Sequence, residues 1–301
     1  MSPKLLTPKV ERCYLIPGGL SINPFQSWDP ESQAGNLSPV KLCRFELKSQ
    51  PGEVRSGLVY SGKIYETNGE ESVAVHEAEQ VRPLSPVGRP PSLRIFRMTE
   101  GRLPVSSEDS VPLYFHGNPT SVYGPSQAIP RPASVAHLDF EPYMIGIVGA
   151  DGLSIPVEAA DNHLLGYSLG LMLLSRDLIR EEQDLRSGYG RSIDIGCVIG
   201  PVITTPDDLD EVVTEEIPAR KYALSVVTRV NGVEVGRGDI SDLPVSFAEL
   251  VAAASDTGPV RSGDIIAIGP IATSSEPIFL DPGDDVQVSV EHLGTLSLKV
   301  G

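Results

Sequence analysis

Cysteine, histidine and clustered carboxylates are the side chains that most often carry chemistry, and here their spacing closes several routes. Cys13, Cys43 and Cys197 lie far apart and form no C-x-x-C pair, so neither a zinc site nor a dithiol redox pair is expected. Cys197 falls in an apolar stretch with no basic residue beside it, the reverse of what stabilises a reactive thiolate. His137 stands just before a candidate strand and His163 in a short helical stretch; both read as structural. No nucleophile elbow with a Ser-His-Asp order, no phosphate loop and no dinucleotide fingerprint occurs. The run Asp207-Asp208-Leu209-Asp210-Glu211 reads as a solvated loop.

The elements that would position any site read as mostly β. The 301 residues hold 29 glycines and 27 prolines, above the usual share, which implies many tight turns. Alternation over 41–66, at 140–148, 223–230, 233–237, 265–271 and 286–290 predicts strands. A helical start over 158–163 precedes a long apolar run from Leu164 to Leu174, and 246–255 reads as the clearest helix. Asn231-Gly232 is a hairpin turn. The proline-rich stretch from Arg82 to Pro91 reads as a linker. The expected division is an N-terminal extension over 1–40, packed near the site, a small β domain over 41–88 and a larger one over 92–301.

Charge and hydropathy narrow the partners. With 24 basic and 40 acidic residues the net charge is -16, the wrong sign for nucleic acid or an anionic membrane. No apolar run is long enough to span a bilayer, and residues 1–20 lack the apolar core of a signal peptide. A cytoplasmic protein is expected.

Separated segments resemble the fumarylacetoacetate hydrolase superfamily in order and spacing. They are Leu138-Asp139-Phe140-Glu141, Gly166-Tyr167-Ser168 with Ser175-Arg176-Asp177, Gly190-Arg191-Ser192-Ile193-Asp194 with Ile199-Gly200-Pro201, Val230-Asn231-Gly232, Ser262-Gly263-Asp264, Asp281-Pro282-Gly283-Asp284 and Leu293-Gly294-Thr295-Leu296. The resemblance implies an α+β, mostly β fold: a β-roll of antiparallel strands with a few short helices and a small N-terminal domain, usually dimeric. It also implies cleavage, decarboxylation, hydration or isomerisation of β-diketone and 2-oxo acid compounds around a hard divalent cation held by carboxylates.

Placed on the family pattern, this sequence departs from that chemistry. The Glu-x-Glu pair falls on Glu141 and Tyr143, and a third acidic ligand falls on Met172. A thioether and a protonated phenol are poor ligands for a hard cation, so no metal or other cofactor is expected. Asp139 lies two residues before Glu141, on the same strand face by alternation. The lid motif aligns with Ile95-Phe96-Arg97-Met98-Thr99, which puts Thr99 where the family has its water-activating histidine. A glutamine becomes Ile179, a Thr-Gly-Thr loop becomes Ile268-Gly269-Pro270, and a lysine becomes His116. Arg191 stands in place of another lysine.

These changes imply a pocket that has turned apolar while keeping cationic groups. Glu141, Arg176, Arg191 and Tyr143 are the candidate catalytic residues, and His116, Met172, Ile179, Ile268 and Thr99 the candidate substrate contacts. The expected ligand is a hydrophobic small molecule with an enolate or carboxylate head. The expected function is a metal-independent enzyme of specialised biosynthesis that isomerises or cyclises a polyketide-like or β-dicarbonyl substrate, in the boldest form by [4+2] closure. The alternatives are a C–C hydrolase or decarboxylase that rebuilt its catalytic set, and a non-catalytic binding or scaffold protein. A homodimer is expected from the resemblance.

Overall fold

Short alternating apolar stretches between glycine and proline turns dictate strands, and strands dominate the computed structural model. It describes residues 41–68, 72–98, 103–105, 111–125, 127, 129, 131–274 and 276–301, preceded by the short strands Tyr14–Ile16 and Leu20–Ile22. The rest of the 1–40 extension, and Thr99, lie outside the described residues.

The strands that frame the site are β1 (Lys41–Leu47), β2 (Leu93–Arg97), β3 (Leu138–Val148), β4 (Leu164–Ser175), β5 (Gly196–Thr204) and β6 (Ile265–Gly269). Within a twelve-stranded sheet they neighbour one another in the order β1-β5-β4-β3-β6-β2. β3 and β4 pair antiparallel from Leu138 opposite Ser175 to Val148 opposite Leu164. β6 runs antiparallel to β3 and parallel to β2. Beyond β1 the sheet continues through Gln50–Tyr60, Lys63–Thr67 and Ser72–Glu77. The expected linker contributes a strand of its own, Val81–Leu84, paired with Arg44 to Leu47 of β1. A separate four-stranded sheet holds the Asn231-Gly232 hairpin, with φ of 50° and 79° at its two turn residues, the left-handed values a two-residue turn of this kind needs.

Every residue of β3 and β4 is buried, because each face of β3 carries its own apolar cluster. Tyr143, Ile145 and Ile147 pack on one side with Leu42, Met172, Cys197 and Ala267. Phe140, Met144 and Val148 pack on the other with Phe96, Phe247 and Ile268. Gly269 ends β6 where a Cβ would come within 2.7 Å of the Tyr143 ring and 2.8 Å of the Pro142 carbonyl oxygen; the missing side chain leaves room for the Tyr143 ring beside the strand end.

The expected helix forms as α2 (Phe247–Asp256), capped reciprocally by Ser246 and Glu249. The long apolar run forms β4, and a helix not expected from the sequence begins where it ends: α1 (Arg176–Leu185). Ser175 closes β4 and also caps α1, its hydroxyl accepting from the Leu178 amide at 3.4 Å. Among the described residues no helix is long and apolar enough to cross a membrane.

Candidate functional site

The junction of β4 with α1 brings cationic side chains to one end of the sheet. Along α1, Arg176, Ile179, Arg180 and Gln183 follow the i, i+3, i+4, i+7 stripe of one helix face. That face walls a cavity of about 320 Å³, closed on its other side by Met98, Pro270, Pro277 and Phe279, with Arg97 also reaching it. Among the described residues three guanidiniums and no carboxylate line the cavity, although acidic residues outnumber basic ones in the chain by 40 to 24.

Beneath the cavity the charges interlock. Alternation puts Leu93, Ile95 and Arg97 of β2, and Asp139, Glu141 and Tyr143 of β3, on the same side of the sheet. Arg97 grips Glu141 with two hydrogen bonds, Nη2 to Oε1 at 2.6 Å and Nε to Oε2 at 3.0 Å. The Tyr143 hydroxyl donates to Oε2 at 3.2 Å. Arg176 Nη1 lies 3.3 Å from Oε1, and Arg176 Nε donates to Asp139 Oδ2 at 2.6 Å. Asp139 also accepts from the Phe140 amide at 2.7 Å. The side chains of Glu141 and Asp139 are only 2% and 3% exposed, whereas that of Arg176 is 25% exposed and faces the cavity.

Electrostatics follow from burial and pairing. Burial lowers the pKa of Arg97, but the hydrogen bonds and charge of Glu141 outweigh it and hold the guanidinium above its usual value. Burial raises the Asp139 carboxyl above its usual value, and Arg176 pulls it part of the way back. Burial, then the neighbouring Glu141 charge, push the Tyr143 phenol well above its usual value, so Tyr143 is a donor to Glu141 at neutral pH.

Of the residues singled out from the sequence, Glu141, Tyr143 and Arg176 meet in this network, and Ile179 lines the cavity. The others stand elsewhere. Met172 is opposite Glu141 in register but lies buried in the cluster with Tyr143, away from the cavity lining. Ile268 pairs with Met144 and packs on the opposite face of the sheet from Glu141. His116 is exposed on a short edge strand beside Tyr114 at 5.6 Å between rings, while its neighbour Phe115 is the residue turned toward the site. Arg191 is exposed and contributes its main chain, the amide donating to Glu182. Thr99 lies outside the described residues.

Sequence reasoning missed Arg97, Arg180, Gln183 and Tyr189. Arg97 was visible as the last member of an alternating strand face, and Arg180 and Gln183 as members of a helix stripe once α1 is recognised. Tyr189 had no such signal. It sits on the loop after α1, its ring 5.1 Å from the Arg97 guanidinium carbon and 5.2 Å from the Phe115 ring. Its hydroxyl lies 3.3 Å from Arg97 Nη1 and 3.4 Å from Gln183 Nε2. The loop is pinned by one carboxylate oxygen: Glu182 Oε1 accepts from the amides of Gly190, Arg191 and Ser192 at 3.1, 2.7 and 3.3 Å. Those donors outweigh the effect of partial burial and lower the pKa of Glu182.

Comparison with known proteins agrees with the geometry at the level of fold. The profile of the fumarylacetoacetate (FAA) hydrolase C-terminal domain matches residues 92–301. The chain is similar to the oxaloacetate tautomerase YisK of Bacillus subtilis (strain 168), 26% identical over 288 residues, 88% of this chain and 92% of the relative. It is 27% identical over 231 residues to the mitochondrial oxaloacetate tautomerase FAHD2A of Homo sapiens, 73% of this chain and 70% of the relative. Among solved structures it resembles a 5-carboxymethyl-2-hydroxymuconate delta-isomerase from Mycobacterium smegmatis, with a TM-score of 0.70 and 22% identity over 86% of this chain and 98% of the other. It also resembles a fumarylacetoacetate hydrolase from psychrophilic Exiguobacterium antarcticum, with a TM-score of 0.69 and 25% identity over 87% and 99%.

Proposed function

Because this chain belongs to the fumarylacetoacetate hydrolase family, we propose that its arginine-lined cavity isomerises an enolisable carbonyl compound, with guanidinium groups doing what a divalent ion does in the family chemistry the resemblance implies. The observation that carries this reading is the saturation of Glu141, whose two oxygens receive Arg97, Arg176 and Tyr143.

A hard cation does not fit this donor set. Ligation would need the Glu141 oxygens that two guanidiniums and a phenol hold, or the Asp139 oxygens that Arg176 and the Phe140 amide hold, and the remaining neighbours are a protonated phenol, Tyr143, and a buried thioether, Met172. The positive charge is covalently built in. Arg176, which reaches both the acidic strand and the cavity, can receive a carboxylate or developing enolate oxygen on its exposed edge, and such preorganised donors stabilise charge as it forms. The names of the relatives, oxaloacetate tautomerases, support enol–keto interconversion of a 2-oxo acid as the simplest form of this chemistry.

The wall of Met98, Ile179, Pro270, Pro277 and Phe279 supports a larger apolar body on the substrate. In the finer form of the proposal that body is polyketide-like or a β-dicarbonyl, held folded for isomerisation or for a cyclisation up to [4+2] closure, where orientation alone lowers the barrier. Enol-to-keto conversion of oxaloacetate and of substituted β-dicarbonyls, followed by ultraviolet absorbance with and without EDTA, tests the reading. The expected result is an acceleration that EDTA leaves intact and Arg176→Met lowers by about 10²-fold. No acceleration across the panel, or one lost to EDTA and restored by Mn²⁺, overturns it.

A further inference from the structure

Arginines can hold an enolate but cannot deliver its proton, and the carboxylates beneath them are saturated. Asp139 and Glu141 are buried and bonded to guanidiniums, and the Tyr143 hydroxyl is committed to Glu141. The phenol of Tyr189 differs. Both of its described hydrogen-bond neighbours, Arg97 Nη1 at 3.3 Å and Gln183 Nε2 at 3.4 Å, are donors to its oxygen. Neither can accept its proton, so the O–H is left to donate elsewhere, and among the described residues nothing receives it. Arg97 and Gln183 both line the cavity, and the phenol stands one hydrogen bond behind them, next to the lining rather than part of it. If the proton leaves, two N–H groups, one of them cationic, already point at the oxygen.

We propose that Tyr189 is the proton donor of this pocket, delivering a proton to the substrate carbon during conversion of an arginine-bound enol to its keto form. The assignment rests on the isomerase reading above and supplies the step that reading lacks. The enol O–H bond gives its electrons to the new C=O bond, the C=C π pair takes the Tyr189 proton to form C–H, and the enol proton passes to solvent. The phenolate, stabilised by Arg97 and Gln183, then recovers a proton from solvent, so no group is consumed. The loop carrying Tyr189 is held by the three amides that meet Glu182, an anchor for its backbone in addition to the Arg97 and Gln183 side chains that meet the phenol.

Tyr189→Phe keeps the ring on Arg97 and Phe115 and removes only the hydroxyl. Two readings are taken on the full-length protein: calorimetric binding of oxalate, a non-reacting dianion, and turnover of the oxaloacetate enol in D₂O with deuterium at the product carbon read by NMR. The expected result is oxalate affinity within about twofold of wild type, an unchanged KM and a kcat lowered by about 10²-fold or more, the usual worth of a positioned acid. A Tyr189→Phe protein that turns over within about threefold of wild type overturns the assignment while the isomerase reading stands. Loss of oxalate binding together with turnover also overturns it, because the hydroxyl would then be structural. Absence of any wild-type acceleration overturns the isomerase reading, and this assignment with it.

Discussion

Glu141 is where the energetics of single residues are most exposed to test. Removing one partner of a buried, hydrogen-bonded ion pair strands the other charge, and the loss is about 3–5 kcal/mol. Arg97→Met leaves Glu141 only Arg176 and the Tyr143 hydroxyl and is therefore expected to destabilise by part of that amount in urea unfolding, whereas Arg97→Met combined with Glu141→Leu recovers little, because the buried Tyr143 hydroxyl then loses the acceptor it has in the network. The cysteines give a second residue-level prediction. Burial pushes the Cys43 and Cys197 thiols from 9.0 to about 12, so between those values the unfolded chain has lost protons that the folded one keeps. Stability is then fully present below pH 9 and falls as pH rises toward 12, by up to about 1.4 kcal/mol per pH unit for each thiol. The urea midpoint should drop between pH 8 and 10.5, and drop less in a Cys43→Ala, Cys197→Ala protein. The same scale shows what a sequence can and cannot disclose. Glu141, Tyr143 and Arg176 could be found because motif spacing carries them, but Ile268 and His116 could not be assigned a face without strand register. Register is fixed by pairing across the sheet, and a one-residue difference reverses every side chain; Ile268 meets Met144 rather than Tyr143.

Among the elements, α1 decides the character of the pocket, since it supplies the cationic wall, the Glu182 anchor and the register of the loop that follows. It was hidden in the sequence because only Leu178, Ile179 and Leu185 of its ten residues are apolar, too few for a helical stripe to stand out beside the long apolar strand before it. α2, with seven buried residues and a reciprocal cap, was legible for the opposite reason. Ser175→Ala removes the α1 cap and is expected to cost about 1 kcal/mol. Glu182→Ala frees the amides of Gly190, Arg191 and Ser192, so hydrogen exchange over 189–192 should accelerate while β3 and β4 keep their protection. An unchanged exchange pattern would mean that the loop is held by its other contacts.

At the scale of the whole molecule, the fold class was legible from turns and alternation, but the linkage of its parts was not. The segments expected as a small domain over 41–88 and a larger one over 92–301 share a sheet, through Leu42 opposite Ile203, and share the apolar cluster that holds Tyr143. A protein consisting of 92–301 alone would expose the Ile203 edge and the surface covered by Leu42 and Leu58; we expect it to aggregate or melt well below the full chain in a thermal scan. The charge distribution is a second global feature: an arginine pocket on a chain of net charge -16 should bind oxalate more weakly as salt rises, because the attraction of its exposed arginine edges is screened.

The Arg97–Glu141–Arg176–Asp139 interlock also constrains how such a protein can change. Placing a carboxylate at position 143 would add a third buried negative charge to a set already balanced, and deleting Arg97 first would take from Glu141 its two-bonded partner and leave it to Arg176 and Tyr143. Either single step passes through a protein weakened by several kcal/mol, a large part of an ordinary domain's total stability. The two changes are therefore strongly coupled, and a second carboxylate next to Glu141 is within reach only if positions 97 and 143 change together or stability is first gained elsewhere.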